Sequence, residues 1–351
     1  MGERVLFYTA LIPKRRRKCA GASAMKPIRL ITVCLALLSA CLGAAASAAT
    51  VPDLYEETIP VGSSRDAAFV EALKNVAIRV SGRRDAPARL EGSALANPRQ
   101  YVQRFGFTAD NLLQVGFDSV SIDQMLTDAG LPVWGRERPL TLVLLNVAAG
   151  NGASHLIDST TNSPVRDIVV RVAAQRGLPI IWPDPTQGVP AMGADAASLM
   201  QAAAGYGANA ALLGTARSDG AGGWSVQWQL ASPDANTSAN GSIEDGVHLA
   251  ADAFARIYSA SGTTLDSVVV QVSDINDLAA YANTLNYLEG LTLVRAVSVE
   301  QVTGSTMRFR VAVRGDAATL RRALSLDGRL VATESGAGAV PTDRLLFRYQ
   351  P

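Results

Sequence analysis

The sequence predicts a multi-domain α+β and α/β fold, on three observations. Beyond residue 48 the chain alternates strand-length apolar runs with stretches of helical period. About 300 residues remain there, too many for one typical hydrophobic core. The order of elements also changes along the chain, from β-α-β-β-α through βαβαβ to β-α-β-β-α-β.

Residues 53–135 read as a small α+β sandwich. Leu54 to Val61 is a loosely alternating strand, and Ser63 and Ser64 are both placed to cap a helix. Phe69, Leu73, Val76, Ala77 and Val80 recur at helical spacing, and Ser81-Gly82-Arg83-Arg84-Asp85 then ends the helix in a turn. A short helix near Leu90 precedes strands at 101–105 and 112–117. A second helix carries Val120, Ile122, Met125 and Leu126, with Gly130 as its C-cap and Leu131-Pro132 as its stop.

Residues 138–260 read as a βαβαβ domain. Leu140 to Val147 is nearly all apolar, as a strand buried on both faces requires. A Gly/Asn/Ser-rich loop over 150–163 leads to a helix over 164–176, a strand over 178–182, a helix over 196–206 and a strand over 210–214. Trp224, Val226, Trp228 and Leu230 then share one face of an alternating strand. A weaker strand near 238–243 and a helix carrying Val247, Leu249, Ala250, Phe254 and Ile257 close the domain. Residues 265–349 follow the ferredoxin-like order. Here Asp274 caps a helix over 274–287, 335–339 is a flexible Gly/Ala loop, and 345–349 is the last strand.

The first 48 residues read as a leader. From Met25, the expected start, Lys26 and Arg29 form a positive segment, Leu30 to Leu42 an apolar one, and Ala46-Ser47-Ala48 a small-residue cleavage site. No later stretch approaches the roughly 20 apolar residues of a spanning helix. Leu38-Ser39-Ala40-Cys41 also fits a lipobox, so Cys41 is a candidate lipidation site that would tether the protein to the outer membrane. Cleavage after Ala48, giving a periplasmic protein, is the preferred reading of the two. The three cysteines all lie within the first 41 residues, so the body has no disulfide, thiolate metal site or cysteine nucleophile. Eight basic residues and one acidic residue fall in 1–48. The remainder carries 24 basic against 30 acidic residues, a net of −6, which is not the footprint of a nucleic-acid binder.

Chemistry-bearing patterns are sparse. No nucleophile elbow, Walker loop, dinucleotide fingerprint or H-E-x-x-H motif follows the leader. Gly220, Gly222 and Gly223 stand before a strand and read as a hairpin turn. His155, near Ser154 and Asp158, reads as an exposed loop residue, and His248 as a solvated one. No catalytic, metal or cofactor-binding residue is expected. The candidate partner or packing surfaces are Arg83 and Arg84 on their turn, Trp134 at a domain junction, and Trp224 with Trp228 on their strand.

Several pieces resemble the exported bacterial family named domain of unknown function 2066. They are Leu54-Tyr55 through Val61, Val80-Ser81-Gly82-Arg83, Gly130-Leu131-Pro132-Val133-Trp134-Gly135 with Arg138-Pro139, Tyr206-Gly207-Ala208-Asn209-Ala210 and Leu278-Ala279-Ala280-Tyr281. The resemblance implies location and architecture without an activity. More loosely, 206–214 resembles a helix-to-strand turn in α/β envelope proteins, a likeness of fold alone.

These readings converge on a non-enzymatic binding or scaffold protein of the cell envelope. It would have an envelope protein partner and no cofactor, and would meet the membrane only through Cys41. The alternatives are a periplasmic hydrolase using carboxylates or a hydroxyl, and a small-molecule sensor with a pocket at the βαβαβ strand ends.

Overall fold

The computed structural model describes residues 49–350 apart from 63, 91, 93, 149–153, 189–192, 219–222, 263 and 334–343. The leader with Met25, Cys41 and the cleavage site lies outside the described residues, as do Ser63, Gly220, Gly222 and the 335–339 loop. Ala44–Pro351 forms one compact unit, and the description below concerns it. Its described residues build a multi-domain α+β fold with separate sheets and apolar cores. Among them no helix is long and apolar enough to cross a membrane.

The first layer pair begins with β1 (Ala49–Thr50) and β2 (Glu56–Ile59). Helix α1 (Arg65–Ser81) starts where the Ser64 side chain accepts a hydrogen bond from the Ala67 N–H. Its apolar stripe of Phe69, Leu73, Val76, Ala77 and Val80 is fully buried. After α2 (Ala86–Arg89), β3 (Val102–Phe107) and β4 (Leu113–Phe117) complete an antiparallel sheet of order β2-β4-β3. Helix α3 (Ser119–Asp128) is capped by Asp118, which accepts from the Ser121 N–H. It ends at Ala129, followed by Gly130 at φ +67°, where Leu131 N–H reaches back to the Leu126 carbonyl.

Strand β5 (Glu137–Arg138) pairs with β1 and leads into the middle sheet. Strand β6 (Thr141–Ala148) is its centre. One of its faces meets helices α4 (Pro164–Arg176) and α6 (Ile243–Tyr258), and the other meets α5 (Ala196–Gly205). This double burial explains the unbroken apolar run. Strands β8 (Ile180–Ile181) and β9 (Ala210–Ser218) pair parallel to β6 on opposite sides. Strands β10 (Trp224–Ala231) and β11 (Asn236–Gly241) continue antiparallel beyond β9.

The expected loop over 150–163 contains a strand, β7 (Ser154–Ile157), which folds back antiparallel on β6. His155 therefore sits on an edge strand opposite Val147, not in a loop. Pairing with the buried β6 overrides the polar composition of the segment.

The last sheet holds β12 (Leu265–Ser273), β13 (Val294–Thr303), β14 (Thr306–Arg314), β15 (Leu330–Ala332) and β16 (Arg344–Tyr349), in the order β13-β14-β12-β16-β15. Helices α7 (Leu278–Gly290) and α8 (Ala317–Leu324) contribute to the core on one face. The predicted β-α-β-β-α-β series is present with one strand more. The short β15 takes the edge, and β16 slips between it and β12, running parallel to β12. Helix α7 is capped by Asp277, whose side chain accepts from the Ala280 N–H. Asp274, expected as the cap, lies outside the helix at φ +66°.

Candidate functional site

Within this compact body, the parts built around the β2-β4-β3 sheet, the β6 sheet and the β12 sheet are the first, middle and last units, and two buried arginines join the first to the middle one. Arg138, at the start of the middle unit, is fully buried, and no carboxylate among the described residues is in ion-pair range of it. Its guanidinium instead donates to five backbone carbonyls. Nε donates to Gly135, Nη1 to Arg176 and Gly177 at 3.0 and 2.8 Å, and Nη2 to Arg79 and Trp134 at 2.9 and 2.8 Å. All five donors of the side chain are thus used. Arg79 lies in the last turn of α1 and Arg176 ends α4, and the last carbonyls of a helix lack partners inside it. One cation therefore caps two helix C-termini, where the helix dipoles favour positive charge. Burial pushes its pKa below the ordinary arginine value. The guanidinium also lies 3.8 Å from the centroid of Trp134, itself fully buried, and the Trp134 backbone N–H donates to the Val80 carbonyl. Trp134 is a wedge between units, not an exposed ligand platform.

Beside this knot runs an open groove of about 670 Å³. Its floor is the Ser81-Gly82-Arg83-Arg84-Asp85 turn, and its far wall is Asp252, Ala255 and Arg256 of α6. Gly82 has φ +68°, and a Cβ there would overlap the Ala255 Cβ, so only glycine lets the turn approach the helix. Arg83 grips Asp85 with two hydrogen bonds of 2.7 and 2.6 Å, which hold the Asp85 carboxyl down at about 2. Arg84 and the buried Arg176 both reach Asp252, at 3.1 and 2.6 Å. Arg256 is exposed and has no ion pair among the described residues. Three groove guanidiniums thus face two carboxylates, both already neutralised, so the groove has spare capacity for an anionic group.

His248 was expected to be solvated. It is half-buried, with Nδ1 2.9 Å from Arg176 Nη1. Arginine only donates, so Nδ1 accepts and the neutral ring carries its proton on Nε2. Burial and then the Arg176 charge lower its pKa.

The remaining candidates lie elsewhere. Trp228 is fully buried, and its indole N–H donates to the Ser242 carbonyl at 2.9 Å; Trp224 is partly buried against the same core. Their strand β10 lies between β9 and β11, so it offers no edge for a partner. Glu56 and Glu57 are paired with Arg104 and Arg79. Among the described residues no group of three or more His, Cys, Asp or Glu side chains could hold a metal ion.

Sequence reasoning missed Arg138, Arg176 and Asp123 as the residues that join the units. Asp123 on α3 is buried, accepts from the Tyr55 hydroxyl at 2.8 Å, and faces Arg295 and Arg314 of the last unit at 3.4 and 4.0 Å. The only hint in the sequence was Arg138, three residues after the Trp134 motif and just before Pro139. Composition favours an exposed reading, because arginine is almost never fully buried.

The family described as Domain of unknown function (DUF8605) has a model that matches residues 48–135. This corrects the resemblance to domain of unknown function 2066, whose Val80-Ser81-Gly82-Arg83 and Gly130 to Gly135 pieces fall inside the match. In the structure those short pieces supply a helix-ending glycine, Gly82, and a packing wedge, Trp134. The match covers the first unit alone, and no curated protein matches the chain.

Proposed function

We propose that this is an exported, non-catalytic binding or scaffold protein of the cell envelope, and that the groove beside the Ser81–Asp85 turn is where a partner docks. One observation carries the reading. The groove lies on the junction that Arg138 and Trp134 make rigid, and its guanidiniums outnumber its carboxylates. A rigid rim lowers the entropy lost on association, and the surplus cation sets the charge of the partner. A carboxyl held at about 2, as Asp85 is, remains ionised near neutrality and makes a poor proton shuttle, which favours binding over hydrolysis.

Site-specific photo-cross-linking in the native host tests this. A probe at Arg84 or Arg256 should give a discrete adduct, and one at the remote Arg329 should not. Adducts at neither groove position, or turnover of a cell-wall substrate that Asp85→Asn abolishes, would overturn the proposal.

A further inference from the structure

The sheet of the last unit has helices on one face only. Val268, Val270 and Val272 of β12, Phe309, Val311 and Val313 of β14, and Leu345 and Phe347 of β16 all belong to the core beneath α7 and α8. Alternation along a strand then fixes what the opposite face carries. From β14 it carries Arg308 and Arg310, and from β16 Arg344 and Arg348. Register places them in one array: Arg310 lies across from Val269 and Val269 from Arg344, while Arg308 lies across from Gln271 and Arg348 is two strands over beside Ser273. Arg310 and Arg348 are exposed, and Arg308 and Arg344 half-buried.

Little on the face neutralises this charge. Glu300 pairs with Arg310. Arg308 donates to the neutral Gln271 and Gln301 at 3.2 and 2.8 Å. Among the described residues no carboxylate lies in ion-pair range of Arg308, Arg344 or Arg348. This concentration of cations belongs to a chain whose residues after 48 carry a net of −6. None of the cavities described among these residues is lined by the four arginines.

We infer that this open face lies against an anionic lipid bilayer. Guanidiniums bind phosphate by paired hydrogen bonds, and the interleaved Ser267 and Gln271 add neutral donors. An open sheet face that none of the described cavities indents matches a broad array of headgroups, whereas a single peptide or glycan strand is usually gripped in a cleft. The acidic remainder of the molecule is repelled by the same membrane, which fixes the orientation. This contact is additional to the one expected at Cys41. It rests on the envelope location proposed above and is independent of the groove.

The test uses the Ala44–Pro351 unit, which is compact by itself, so that the apolar run of the leader does not contribute. Co-sedimentation with phosphatidylcholine vesicles is compared with and without phosphatidylglycerol. Binding to the anionic vesicles alone is expected, weakening as salt is raised. Arg310→Gln with Arg348→Gln should weaken partitioning roughly thirtyfold, at about fivefold per arginine, with an unchanged circular dichroism spectrum. Arg84→Glu with Arg256→Glu should bind like the wild type, which separates this face from the groove. Equal binding to neutral vesicles, or no loss in the Gln variant, would overturn the inference. So would equally tight binding of polyglutamate, which would indicate an acidic protein, or self-association lost in the Gln variant, which would indicate a second copy.

Discussion

The first unit is joined to its two neighbours in opposite ways. Against the middle unit it uses a cation, Arg138, surrounded by neutral carbonyls. Against the last unit it uses an anion, Asp123, facing the arginines 295 and 314 with help from the Tyr55 hydroxyl. Burying a charge is costly in both cases, and the compensation differs. Carbonyls at helix ends are fixed dipoles that neither titrate nor exchange with salt, so the Arg138 joint depends on backbone geometry alone. The Asp123 joint uses full charges, and the Arg295 side chain is 34% exposed, so solvent and salt reach it. The middle junction also carries the exposed Arg84–Asp252 ion pair at its rim, but its centre is made of dipoles and is rigid, whereas the Asp123 joint is made of charges and can be modulated.

The largest expected effect comes from Arg138→Met, which keeps the stem and leaves buried carbonyls without donors. A loss of about 4 kcal/mol or more is expected in urea unfolding. Arg138→Lys, with three donors in place of five, should fall between this variant and wild type; if Met costs no more than Lys, the capping account fails. Trp134→Ala comes next, at about 3 kcal/mol for a buried aromatic. Thermal unfolding that matched wild type would mean that the ring does not wedge the units.

Asp123→Asn keeps an acceptor for Tyr55 but removes the charge facing the two arginines. A cost of about 2 kcal/mol is expected, shrinking as salt is added. A salt-independent cost in calorimetry would remove the distinction between the two joints. The smallest effect concerns pH. Burial and Arg176 lower the His248 pKa in the fold, so the unfolded chain binds the proton more readily. Stability should therefore be full above the unfolded value of about 6.5 and fall as pH drops below it. His248→Asn, which retains an acceptor, should flatten that part of the stability–pH curve, and an unchanged slope would assign it to other groups.

The fold was largely legible where a single period governs burial. The stripe from Phe69 to Val80 and the alternation of Val226, Trp228 and Leu230 sit as their spacing requires. Short elements were not legible. Strand β15 has three residues and β7 lies in a polar segment, so neither carries enough pattern to outweigh composition. The groove was half visible, because Arg83 and Arg84 follow a helix-ending glycine. Its other wall, on α6, is set by tertiary docking that leaves no trace in local sequence. Arg138 was invisible for a stronger reason: its hydrogen-bond partners are backbone atoms, which every residue type supplies alike, while the side-chain partners of Arg176, His248 and Asp252, lie more than 70 residues away in sequence.

The carbonyl cage around Arg138 also imposes a sequence of events on folding. Its acceptors come from two helix ends far apart in the chain, at Arg79 and at Arg176 and Gly177. A chain emerging from its N-terminus can complete helix α1 early, but the guanidinium cannot be fully satisfied until Gly177 has appeared. Until then a partly desolvated cation and uncapped helix carbonyls keep the first unit unfinished. The segment over 48–135 stops short of Arg138 itself. Made alone, it should fray at the end of α1, and the same segment set in another protein would need some other donor to close it.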